Sequence, residues 1–113
     1  ETKDFVYGGD VARANIMAME SNLDQESFNI SGCRTIPVKE IIRIIQQEMG
    51  SDLKAKDLRT TNVVRLVSPD PFIYCCDKAK KKLGWQPRMT FEHGIKRVVN
   101  WRANTDAHFY FDT

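Results

Sequence analysis

Arg65-Leu66-Val67-Ser68-Pro69-Asp70-Pro71-Phe72-Ile73-Tyr74-Cys75-Cys76-Asp77-Lys78-Ala79-Lys80-Lys81-Lys82-Leu83-Gly84-Trp85-Gln86-Pro87 is the stretch whose parsing decides the fold. An arginine leads into a loop punctuated by Pro69 and Pro71. A β-prone run follows over Phe72 to Tyr74, and then a compact helix over about Asp77 to Leu83. Asp77 suits the N-cap, where its carboxylate accepts from free N–H groups of the first turn and meets the positive end of the helix dipole. Ala79 and Leu83 lie four apart on one face, the lysines take the other, and Gly84 is free to adopt the left-handed conformation past the last turn. Trp85 is then expected to fold back onto the protein.

The same stretch resembles the C-terminal part of the extended short-chain dehydrogenase/reductase family, the NAD-dependent nucleotide-sugar epimerases and dehydratases of the UDP-glucose 4-epimerase kind. In that family an arginine precedes a loop and a short helix that carries Ser/Asp-Lys-Ala and closes on Leu-Gly-Trp-x-Pro. Lys78-Ala79 and Leu83-Gly84-Trp85-Gln86-Pro87 carry the resemblance here, with Arg65 at the expected separation.

Upstream, Lys3-Asp4-Phe5-Val6-Tyr7 reads as a short strand ended by Gly8-Gly9, and Asp10 as the cap of a helix running to Glu20. Positions 11, 14 and 18 and positions 12, 16 and 19 form two adjoining apolar rows, so this helix is expected to need cover on both sides. Without that cover it invites self-association as a homodimer. The segment resembles the family's Arg-Asp-Phe/Tyr-Val/Ile-Tyr/His-Val-x-Asp-Val/Leu-Ala, with matches at Asp4, Phe5, Val6, Tyr7, Asp10, Val11 and Ala12. Lys3 stands where the family has an arginine that grips the substrate diphosphate. Lysine keeps the charge and gives up the planar fork, which implies a looser phosphate contact.

In the middle, Ser27 to Gly32 reads as a strand with a glycine exit and resembles the family's Phe-Asn-Ile-Gly segment. A helix is expected over about Pro37 to Met49, with proline in its first turn and Gly50 just past its end. Its apolar positions are Val38, Ile41, Ile42, Ile45 and Met49. Residues 51–62 read as a polar loop, and Val63 to Val67 as a strand with Arg65 mid-run. Thr90 is expected to cap a final helix with Phe91, Ile95, Val98 and Val99 on one stripe; Thr90, Glu92 and Gly94 match the family's Ser/Thr-x-Glu-x-Gly opening. The fold class expected is α/β, or α+β for the chain taken alone: short strands alternating with about four helices, as in the C-terminal portion of an extended Rossmann-type epimerase. Residues 1–103 form that part, and 104–113 a tail.

Composition bounds the partners. With 113 residues, 42% hydrophobic, the chain makes at most one modest core. Seventeen basic against fifteen acidic side chains, a net charge of +2, argue against nucleic acid as a partner. No apolar run reaches the length of a membrane span, so no membrane partner is expected and a cytoplasmic setting is. Three cysteines, two of them adjacent, do not make a disulfide framework, and the thiols are expected reduced and mostly buried. Neither a Cys-x-x-Cys nor a spaced histidine pair offers a metal site. The chain opens on Glu1 and enters a structured pattern by residue 4, which leads us to expect a portion of a longer protein.

Arg65 is the leading site residue, because an arginine inside an apolar strand wants an anion. The residues alone leave a salt bridge to Asp70 or Asp57 open; the resemblance implies the diphosphate of a nucleotide sugar, shared with Lys3. Where the family often has an acidic residue three positions on, this chain has Ser68, with Asp70 two further. Tyr7 faces either the sugar site or the core. Tyr74 and Lys78 share the Tyr-x-x-x-Lys spacing of the family's catalytic pair, but Tyr74 precedes the helix start, so no catalytic residue is assigned. No Gly-x-x-Gly-x-x-Gly is present, so no cofactor is expected to bind this chain alone. The resemblance implies NAD and the Tyr/Lys pair in an N-terminal Rossmann half of the parent enzyme, missing here, with these residues gripping the nucleotide diphosphate. The other reading is a stand-alone α+β module that binds an acidic partner through Lys78 to Lys82, without catalysis.

Overall fold

The computed structural model describes residues 2–54 and 74–105, in which the elements run β1 (Thr2–Asp4), α1 (Gly8–Glu20), β2 (Thr35–Pro37), α2 (Val38–Met49), α3 (Asp77–Leu83) and α4 (Phe91–Asn104). The strand expected around Arg65, the run Phe72–Ile73, and most of the expected tail lie outside these residues. Among the described residues, four helices and a two-stranded antiparallel sheet make an α/β arrangement, with Lys3 opposite Ile36 and Asp4 opposite Thr35.

The core gathers on Trp85, which is fully buried, with Ala14 of α1, Ala79 of α3 and Cys76 against it. Val6, Met17, Phe28, Ile30 and Leu83 close the cluster. Local sequence explains how the indole arrives there. Gly84 ends α3 in the left-handed region, φ 70° and ψ 18°, and the Trp85 N–H donates back to the Ala79 carbonyl at 3.2 Å. Ala79 has no bulk to keep the ring away. Thr90 caps α4 as expected, its Oγ1 accepting from the His93 N–H at 3.3 Å. Gly50 ends α2 in the left-handed region at φ 61°.

Several expectations are corrected. The strand at the start is Thr2–Asp4 rather than Lys3 to Tyr7, and Gly8-Gly9 form the first turn of α1 instead of ending a strand. Tyr7 is the N-cap residue, its ring lying so close to Gly9 that a Cβ there would meet Cε1 at 2.6 Å. Asp10 therefore sits inside the first turn, and Asp77 likewise follows its cap, Cys76. Residues 27–32 form no strand; the partner of β1 is Thr35–Pro37, ending on a proline that spends no ladder N–H.

The helix faces also shift. On α1 one face is covered, through Asp10, Arg13, Ala14 and Met17, while Ile16 and Met19 are exposed. On α2 the most deeply buried residue is Ile44, outside the expected stripe, and Met49 is exposed. Packing of α2 on both β2 and α4 turns that face. On α4, Val98 points outward with Trp101.

The cysteines depart most. Cys33 and Cys76 are joined by a disulfide across a sequence separation of 43, leaving Cys75 as the free, exposed thiol. Adjacent cysteines hid the pairing, because the partner of Cys76 is brought in by tertiary packing and not by spacing.

Candidate functional site

A cleft of about 180 Å³ opens where the chain leaves β1. One wall is Phe5, Val6 and Tyr7 with Gly32, Arg34 and Ile36; the other is the run from Pro87 to Phe91. Phe5 and Phe91 meet across it, ring centroids 5.3 Å apart and tilted by 51°.

The second wall hangs from α1. Asp10 is 5% exposed, and its Oδ2 accepts from the backbone N–H groups of Arg88 at 3.1 Å and Met89 at 3.0 Å. Its Oδ1 takes the Arg13 guanidinium at 3.2 Å. Burial pushes against the charge, but the bonds from Met89, Arg13 and Arg88, with the field of Arg13, together hold the Asp10 carboxyl below its ordinary value. The Asp10 carbonyl accepts from Trp85 Nε1 at 2.9 Å. Arg13 completes the clamp, donating to the Gln86 carbonyl with its guanidinium 5.7 Å from the Trp85 ring centroid.

The first wall is set by a close approach. The Gly32 N–H donates to Asp4 Oδ1 at 2.8 Å, and a Cβ on Gly32 would stand 2.0 Å from the Phe5 carbonyl oxygen. This places Arg34 at the rim, where it meets Glu92 at 3.8 Å; both side chains are about half exposed, so the pair yields cheaply to another anion. Arg34 and Arg88 are the charged side chains of the lining, and among the described lining residues there is no carboxylate.

Of the residues expected at a site, Tyr7 lines the cleft, with its hydroxyl accepting from Arg97 Nη1 at 3.2 Å. Lys3 is exposed at the centre of β1, opposite Ile36 and outside the lining. Arg65, Ser68 and Asp70 lie outside the described residues. Arg34 and Arg88 were not singled out from sequence. The only hint was their position, each just after a glycine- or proline-marked exit.

Two further expectations can be set against the geometry. Lys78 donates to the Ser27 carbonyl at 2.9 Å and lies 5.0 Å from the Phe28 ring centroid, and Lys82 pairs with Glu26. Half of the lysine run is thus engaged within the chain, which weakens it as a docking surface. The turn that opens α1 on Gly8-Gly9 does not suit the pyrophosphate of NAD either, since the Tyr7 ring covers Gly9 and Asp10 brings a negative charge into the first turn. No group of metal-ligating side chains occurs, and no helix is long and apolar enough to cross a membrane, among the described residues.

The chain has recognisable relatives among known proteins. Residues 1–98 match the family described as GDP-mannose 4,6 dehydratase. A Methanocaldococcus jannaschii protein carrying the provisional name UDP-glucose 4-epimerase is 40% identical over 108 residues, which cover 94% of this chain and 32% of that protein. The crystal structure of the Thermotoga maritima UDP-glucose 4-epimerase with UDP-glucose superposes with a TM-score of 0.74 at 35% identity, covering 90% of this chain and 31% of the other. A Bordetella bronchiseptica enzyme in complex with NAD+ and UDP shares the fold, with a TM-score of 0.72 at 19% identity, covering 92% of this chain and 30% of the other. The chain therefore spans about a third of the length of the proteins it matches.

Proposed function

The chain belongs to the GDP-mannose 4,6 dehydratase family, matched over 98 of its 113 residues, and on that premise we propose that it supplies the substrate-binding part of an NAD-dependent nucleotide-sugar epimerase or dehydratase. The observation that carries this reading is the cleft whose charged lining is Arg34 and Arg88, with the Phe5 and Phe91 rings meeting in it and no carboxylate in its described lining. A diphosphate offers two charged groups to such arginines, through bonds stronger than those of a neutral ligand.

In this reading Arg65 and, from outside the cleft lining, Lys3 join Arg34 and Arg88 on the diphosphate, Tyr7 faces the sugar, and Ser68 and Asp70 help hold the nucleoside. NAD, held by residues beyond this chain in the family's Rossmann half, supplies hydride transfer when bound. The residues here bind and orient the nucleotide sugar, and an ordered substrate is worth a large part of a barrier. The chain alone turns over no substrate. We further propose a cytoplasmic setting, and self-association through the exposed side of α1 that carries Ile16 and Met19.

Calorimetry with UDP-glucose, UDP and uridine tests the proposal. UDP-glucose and UDP are expected to bind at least tenfold more tightly than uridine, and Arg65→Ala and Arg88→Ala to weaken UDP by about tenfold each, or about 1.4 kcal/mol. Equal affinity for uridine and UDP would sink the diphosphate reading. Turnover of a nucleotide sugar by this chain alone would sink the claim that catalysis lies elsewhere.

A further inference from the structure

The Cys33–Cys76 bond joins two loops that the nucleotide reading does not explain. Its two residues are unequally buried: Cys33 is exposed and Cys76 is 6% exposed. Ser31, 5% exposed, places its Oγ 3.0 Å from Cys76 Sγ, donates to the Tyr74 carbonyl at 3.2 Å and accepts from the Cys33 N–H at 3.1 Å. Cys33 also holds a left-handed backbone, φ 57°, which a residue with a Cβ keeps only where its surroundings impose it. The residues on either side of it, Gly32 and Arg34, line the cleft.

We propose that Cys33–Cys76 is a reversible thiol–disulfide site, acted on by low-molecular-weight thiols and disulfides, whose bond fixes the Gly32–Arg34 wall of the cleft. Its consequence for ligands rests on the nucleotide reading above. The difference in burial selects the sulfur attacked. A small thiolate bonds to the Sγ of Cys33, the more exposed residue of the pair, and the Sγ–Sγ bond breaks. The electron pair leaves with Cys76 Sγ, 3.0 Å from a Ser31 hydroxyl that can turn its one proton from the Tyr74 carbonyl to the new thiolate, and this thiolate then takes a proton from solvent. A second small thiol attacks the mixed disulfide and releases Cys33 as a thiolate, and the reductant departs as its own disulfide. Two electrons have then passed to the cystine. A small disulfide runs the same steps in reverse. With the bond open, the Arg34 segment is left to the Gly32 bond to Asp4 and the loose pair with Glu92, and the Gly32 bond opens more often.

The test equilibrates the protein in glutathione buffers from oxidising to reducing, alkylates it, and counts labelled cysteines by intact and peptide mass. One label, on Cys75, is expected under oxidising conditions and three under reducing ones, reversibly. Hydrogen exchange at the Gly32 amide should rise at least tenfold on reduction while α4 amides stay unchanged, and UDP should bind at least fivefold more weakly. Cys33→Ser should match the reduced protein, and Cys75→Ser the wild type. Three labels in every buffer, or a link that includes Cys75, overturns the site. Unchanged Gly32 exchange overturns its coupling to the cleft. If UDP binds neither form, the nucleotide reading fails by itself, and the label count and Gly32 exchange still decide the thiol site.

Discussion

Asp10 holds the segment beyond Trp85 at two levels: its carbonyl accepts from the Trp85 indole N–H at 2.9 Å, and its carboxylate accepts from the N–H groups of Arg88 and Met89. A residue of α1 thus organises the run that forms one wall of the cleft, though 75 positions separate it from the indole. Asp10→Asn keeps the shape but replaces a charged double acceptor with a neutral amide. The loss is expected to cost about 1–3 kcal/mol, because two part-buried N–H groups lose a charge-assisted partner. Urea denaturation should show a lower midpoint with an unchanged slope. A midpoint equal to the wild type would mean that the wall stands without Asp10.

The same carboxylate sets a pH dependence. Its folded-state pKa lies below the ordinary value of 3.8, so at falling pH the unfolded chain takes up this proton first. The stability it contributes is complete above about 3.8 and drains as pH falls from there through the lower folded-state value. Glu26 and Glu40 are shifted the same way by Lys82 and Arg43, but these exposed pairs add little. Hence the stability gap between wild type and Asp10→Asn should be full at pH 7 and shrink below pH 3.8. A gap constant from pH 7 to pH 3 would contradict the assignment.

Much of this was legible where the code is local. Gly84 after Leu83 stops α3, Thr90 opens α4, and Gly50 closes α2, because each depends on a residue's own backbone or a bond three positions away. Asp10 misled for the same reason: it looks like a helix cap, but it serves two N–H groups nearly eighty residues on. β2 was missed because Thr35–Pro37 becomes a strand only by pairing with β1. The Cys33–Cys76 bond and the arginines of the cleft depend on tertiary placement that no spacing encodes. On α1, two apolar rows were visible, but which one the chain covers was not; Ala14 beside the Trp85 indole decides it.

Trp85 is the largest fully buried side chain described. Trp85→Phe retains a ring but removes the donor to the Asp10 carbonyl and the surface beneath the Arg13 guanidinium. A loss of about 2 kcal/mol is expected, and Trp85→Ala should cost about 3–5 kcal/mol, a large share of the stability of a domain this size. Thermal unfolding of the two variants should rank in that order. Equal losses would place the value of Trp85 in its indole N–H and not in its volume.

Gly32 offers the sharpest test of the cleft's first wall. An alanine there would put its Cβ 2.0 Å from the Phe5 carbonyl oxygen and 2.9 Å from Asp4 Oδ1, both nearer than real Cβ contacts allow. The Phe5 carbonyl belongs to the backbone just beyond β1, so it cannot swing aside as a side chain would. Either the 31–34 loop or the end of β1 must move, and both carry lining residues. Overpacking of this kind costs about 1–3 kcal/mol, so the variant is expected to fold with reduced stability. Its UDP affinity should fall at least fivefold, because Arg34 moves with the loop. A control at Gly8, where an added Cβ meets nothing within 4 Å, should leave affinity unchanged. If Gly32→Ala binds UDP as the wild type does while losing stability, the wall shapes the fold but does not contact the nucleotide, and the anion would be carried without Arg34, by Arg88 on the opposite side together with Arg65 and Lys3.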